Sequence, residues 1–124
     1  MFTISCFIRK NTSELKQYLN NLGYKYGGKT SEFNQPYLYC SLGKYFECNS
    51  FPVRHHRIIN CENNEELFLA LVALRDDSNY IQWFTDGENW FQNKQNDIDV
   101  VKYGASNPIN FHKATVEELI EYFK

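Results

Sequence analysis

Three stretches of this chain alternate in the same way between apolar and polar positions, 52 residues apart. The first runs Phe7, then Asn11-Thr12-Ser13-Glu14-Leu15, then Leu19. The second runs Ile59, then Asn63-Asn64-Glu65-Glu66-Leu67, then Leu71. The third runs Phe111, then Thr115-Val116-Glu117-Glu118-Leu119, then Phe123. Each reads as the end of a strand, a helix cap and the buried stripe of a helix. Leu22 and Leu74 continue the first two stripes to i+7. Asn11 with Glu14, and Asn63 with Glu66, have the spacing of capping boxes, and Thr115 caps the third helix. Gly23 stands where a helix-terminating glycine belongs. Helices are predicted over 12–22, 64–75 and 115–123. The second is apolar nearly all round, through Phe68, Leu69, Ala70, Val72 and Ala73. It therefore needs cover on more than one side and belongs at the centre.

Strand-like runs fill the intervals. Tyr37-Leu38-Tyr39-Cys40 and Tyr45-Phe46-Glu47-Cys48 surround Leu42-Gly43-Lys44 as a hairpin, and Tyr80-Ile81-Gln82-Trp83-Phe84 and Asn89-Trp90-Phe91-Gln92 surround Asp86-Gly87 as another. Single strands over 2–9, 57–60 and 109–112 precede the helices, and 93–108 reads as loop with a short strand at Val100-Val101. The order is β-α-β-β-β-α-β-β-β-α. It defines an α+β fold, a largely antiparallel sheet with three helices packed on it, in one domain spanning 1–124. A tandem βαββ repeat would divide the chain into units 2–53, 54–105 and a truncated 106–124. The hairpins do not keep the helical spacing, since Tyr37-Leu38 matches Tyr80-Ile81 at an offset of 43. True duplication and the recurrence of an ordinary capped helix both remain open at this point.

Composition adds aromatics: ten Phe, nine Tyr and two Trp in 124 residues. An AT-rich genome is one reading of that bias, an aromatic binding surface the other. Lys and Arg number 13 against 15 Asp and Glu, a net charge of −2, which lacks the dense basic footprint of a protein that lives on nucleic acid. The N-terminal run Met1 to Ile8 has no basic start and is too short for a signal peptide, and no run reaches the length of a membrane span. A cytoplasmic location is expected, with Cys6, Cys40, Cys48 and Cys61 reduced.

Candidate chemistry is thin. Cys40, Cys48, His55, His56 and Cys61 fall close together, but no CxxC knuckle organises them for zinc. Cys48 with His55, or Cys61 with His112, could pair a nucleophile with a base, but nothing local activates them and no nucleophile-elbow glycine pattern occurs. Asp76-Asp77 and Asp97-Ile98-Asp99 read as solvated loops. Gly23 to Thr30 matches the formula G-x-x-x-x-G-K-T, yet it follows a helix rather than a strand, and Tyr24 and Tyr26 would crowd a phosphate. No catalytic residue, metal ligand or cofactor is assigned. The aromatic hairpin carries the binding expectation, through Trp83, Phe84 and Trp90, joined by Tyr37 and Tyr39, because exposed aromatic patches mark interfaces.

The segments Cys6 to Thr12, Leu67 to Asp77, Gln82-Trp83-Phe84 and His112 to Ile120 resemble small uncharacterised proteins of gut Bacteroidota and their phages or mobile elements. The resemblance covers about half the chain and implies no activity. It implies an accessory protein that binds a host or phage component. The expected function is non-catalytic binding of a protein partner, with a homodimer completing the third unit as a variant of it. Two rival classes are a single-stranded nucleic-acid binder that stacks bases on the same aromatics and a small enzyme of unrecognised class.

Overall fold

The computed structural model describes residues 4–28, 34–53, 57–75, 80–93 and 111–124. Val100-Val101, His55-His56, Asp76-Asp77, Asp97-Ile98-Asp99 and Thr30 lie outside these residues.

All three predicted helices form, as α1 (Ser13–Leu22), α2 (Glu65–Val72) and α3 (Val116–Tyr122). Two caps sit one residue later than the sequence pattern placed them. Thr12, not Asn11, starts α1, its Oγ1 accepting from the Leu15 N–H at 3.1 Å. Asn64, not Asn63, starts α2, its Oδ1 accepting from the Leu67 N–H at 3.1 Å. The displacement has a tertiary cause at α1: the Asn11 amide donates instead to Glu47 Oε1 and to the Gln35 carbonyl. Leu15 and Leu67 thereby become the third helical residues, so neither Glu14 nor Glu66 closes a capping box. Thr115 and Glu118 do form one on α3. Gly23 ends α1 at φ 105°, with the Tyr24 N–H donating to the Leu19 carbonyl at 2.9 Å, and Leu19 and Tyr24 are both buried behind the turn.

The extended chain divides into two sheets. The first holds β1 (Cys6–Ile8), β2 (Lys25–Tyr26), β3 (Tyr37–Ser41), β4 (Lys44–Cys48) and β5 (Ile59–Asn60), in the order β2-β4-β3-β1-β5. Its centre is antiparallel, and both outer pairs, β2 with β4 and β5 with β1, are parallel. The second holds β6 (Trp83–Thr85), β7 (Trp90–Gln92) and β8 (His112–Lys113), in the antiparallel order β7-β6-β8. The class is α+β and the order of elements is the expected one, with β2 added.

Alternation sets the faces of the first sheet. Cys6, Ile8, Leu38, Cys40 and Tyr45 point one way and join Leu15, Leu19, Phe68 and Leu71 in the core. Phe7, Tyr37, Tyr39 and Phe46 point the other way. The stripe leucines Leu15, Leu19, Leu71 and Leu119 are at most 1% exposed, so the predicted helical faces are the buried ones. α2 packs against β1 and against α3. The Tyr24 hydroxyl also donates to the Val72 carbonyl at 3.1 Å in the interior, tying the end of α1 to the end of α2. A largely apolar helix thus occupies the middle, packed between β1 and α3.

Both sheets share a local arrangement reached by different chain orders. β1 lies beside the hairpin β3-β4 and leads into α1; β8 lies beside the hairpin β6-β7 and leads into α3. In the first case the hairpin follows the helix, and in the second it precedes the strand.

Candidate functional site: an aromatic groove beside α2 and α3

The hairpin β6-β7 pairs Trp83 with Gln92 and Thr85 with Trp90, so all four share a face, while Phe84 and Phe91 share the other. The tip is held by the Asp86 carboxylate, which accepts from the Asn89 and Glu88 N–H groups at 2.7 and 2.9 Å; these bonds, Asn89 first, lower its pKa. On the Trp face lies the end of α3. Tyr122 stacks on Trp90, with ring centroids 4.1 Å apart and planes at 13°. Phe123 meets Trp83 edge-on at 5.3 Å. Trp83 also lies 5.9 Å from the Tyr122 ring.

A groove of about 780 Å³ opens beside these rings. Trp83, Tyr122 and Phe123 form its aromatic wall, with Gln92 from β7 and Lys124 at the end of α3. Glu66, Leu69 and Ala70, a stripe at i, i+3 and i+4 of α2, form the facing wall, and Tyr18 of α1 completes it. Burial pushes the Tyr18 phenol up to about 12, so it stays protonated at neutral pH. Asn64 binds the two walls together, its Nδ2 donating to the Phe123 carbonyl at 2.6 Å.

The loop entering the hairpin is strained. Ile81 takes φ 57°, a left-handed conformation that costs a β-branched residue about 1–2 kcal/mol. Two hydrogen bonds hold it there: its N–H donates to the Asn93 carbonyl at 2.6 Å, and its carbonyl accepts from Gln92 Nε2 at 3.1 Å. The second bond fixes the Gln92 amide at the groove.

The five residues expected to bind do not make one surface. Trp83 lines the groove and Trp90 supports it from behind Tyr122. Phe84 is buried on the far face, stacked with Phe91 at 5.6 Å. Tyr37 and Tyr39 belong to the other sheet. Tyr37 meets Phe7 edge-on at 5.6 Å, and Tyr39 stacks on Phe46 at 4.7 Å beside a smaller hollow of about 410 Å³. Sequence reasoning missed Tyr122, Leu69 and Glu66 as groove residues. The all-round apolar character of α2 was the one signal that pointed toward Leu69.

The other polar candidates are structural. Burial pushes the Cys6 and Cys40 thiols far up, and Cys48 to about 11, which suits small core hydrophobes rather than nucleophiles. Cys61 is buried with them, and His112 Nε2 lies 2.9 Å from Glu118 Oε1 on the surface. Within the Gly23 to Gly28 part of the P-loop-like run, Gly23 ends a helix and Tyr24 is buried. A Cβ on Gly27 would lie 2.7 Å from the Phe46 ring, so that glycine serves packing. The buried Glu47 carboxylate pins chain segments together through Asn11, the Asn34 N–H and Lys16. Among the described residues no helix is long and apolar enough to cross a membrane, and no group of three His, Cys, Asp or Glu side chains is placed to hold a metal.

Compared with protein-family models, curated proteins and solved structures, the chain gives no match.

Proposed function

We propose that this protein is a non-catalytic binding module that takes a short segment of a partner protein into the groove between α2 and the Trp83 face. The observation that supports this reading is the groove itself. It has a half-exposed Tyr122 at its rim, aromatic walls, and a size within the range of specific recognition sites. Among the described residues its ionisable groups are Glu66, Lys124, Tyr18 and Tyr122, which contain no nucleophile paired with a base, the minimum for covalent or acid–base catalysis. Large rigid aromatics flanking an apolar strip are the anchors that dominate protein interfaces.

A displayed peptide library panned on the immobilised protein tests the reading. Selected peptides should compete with one another for one site. Tyr122→Ala should weaken them at least tenfold while the unfolding transition stays cooperative. Trp83→Ala should weaken them too, with some loss of stability because Trp83 also packs on the core. Failure to enrich any peptide, or binders indifferent to both substitutions, would remove the groove as the binding site.

A further inference from the structure

Among its described lining residues the groove carries one carboxylate, Glu66. Glu66 stands on its wall without an ion pair or hydrogen bond among the described residues, whereas its neighbour Glu65 is held by Lys10 at 2.6 Å. The Gln92 amide commits one N–H to the Ile81 carbonyl and keeps its Oε1 as an acceptor beside a second N–H. Trp83, Tyr122 and Phe123 present π faces and edges around the same space. Among the described lining residues the basic side chain is Lys124, whose ammonium lies 3.8 Å from the Glu121 carboxylate. A carboxylate, an amide carbonyl and aromatic rings together complement a planar cation rich in N–H donors. A guanidinium fits them all, since it stacks on rings and forks onto a carboxylate, which an ammonium does less well.

Resting on the groove as the binding site, we infer that its occupant is an arginine side chain of the partner protein, stacked against the Trp83–Tyr122 wall and paired with Glu66. The loss of the expected capping-box role is what frees Glu66 for this: one residue too early to serve the cap, it points along the groove stripe with Leu69 and Ala70.

The full-length chain, titrated with N-acetyl-arginine amide, its neutral isostere N-acetyl-citrulline amide and N-acetyl-leucine amide, tests the inference. The readout is the Trp83 indole N–H signal by NMR. The arginine derivative should shift that signal saturably and bind at least fivefold tighter than the citrulline derivative. Glu66→Gln, which keeps the shape of the wall, should abolish that preference, and Lys124→Ala should raise arginine affinity about twofold by removing a competing charge. Equal binding of citrulline or leucine derivatives, or a preference that survives Glu66→Gln, overturns the arginine assignment and leaves the groove standing. Trp83 signals that respond to none of the three probes overturn both.

Discussion

Among the described residues five non-glycines take positive φ, Asn34, Leu42, Arg57, Glu62 and Ile81, and two of them, Leu42 and Ile81, differ in what their strain holds. Leu42 and Gly43 form a two-residue turn between Ser41 and Lys44, with φ 52° and 79°. Both central positions of such a turn need positive φ, which asparagine tolerates better than leucine, and the Leu42 side chain is 79% exposed and contributes little contact. Leu42→Asn should therefore stabilise the protein by about 1 kcal/mol. In urea unfolding the midpoint should rise with an unchanged slope; a fall in midpoint would mean that the leucine is held by contacts rather than merely tolerated. Ile81 carries the same kind of strain, but there the bent backbone aims its carbonyl at Gln92, beside the groove. Strain that orients a binding group is commonly retained where strain in a plain turn can be removed.

At the scale of elements, the capping box of α3 has a charge dependence that the other two helices lack. Glu118 accepts from the Thr115 N–H at 2.9 Å and pairs with His112, and these contacts, the Thr115 bond first, lower its pKa. A carboxylate with a depressed pKa contributes stability that is present above its unfolded value and is lost as pH falls through the folded value. Glu118→Gln should therefore be less stable than the parent at neutral pH, with the gap closing in acid below the ordinary carboxylate range; a gap that persists there would assign the effect to packing. Thr115→Ala should cost about 1 kcal/mol at any pH, through its lost bond to the Glu118 N–H. The helices were legible in the sequence because Leu15 and Leu19, or Leu67 and Leu71, repeat on one face whatever they pack against. Both hairpins were legible because Gly43 and Gly87 supply the positive φ that their turns need. Thr115 and Gly23 cap where expected, but the starts of α1 and α2 were not legible to the residue, and at α1 the cause is Glu47, 36 residues distant, which draws Asn11 away. The two-sheet division was not either: whether β5 joins β1, or β8 joins β6, depends on long-range pairing that local alternation does not encode. Trp83 could be picked out as an aromatic on a hairpin, but its companions Tyr122 and Phe123 come from a helix that only tertiary packing brings to it.

For the whole molecule, the decisive element is α2. It touches β1 of the first sheet and α3, which packs on the second, and Leu71, fully buried, belongs to the hydrophobic cluster that gathers residues from both. If that cluster joins both sheets into one cooperative unit, damage at its centre must be felt equally at both ends. Leu71→Ala should cost about 2–5 kcal/mol, the range for an unrelaxed core leucine cavity. Amide hydrogen exchange should then speed up by the same factor at Cys6–Ile8 and at Trp83–Thr85, because both would exchange through the same global opening. Selective acceleration of one strand would mean that the sheets open independently. The walls of the groove, drawn from α2 on one side and from β6, β7 and α3 on the other, would then be free to part without unfolding, and a partner would bind by closing them. Equal acceleration instead makes the groove a preformed site, whose affinity is set by the side chains that line it.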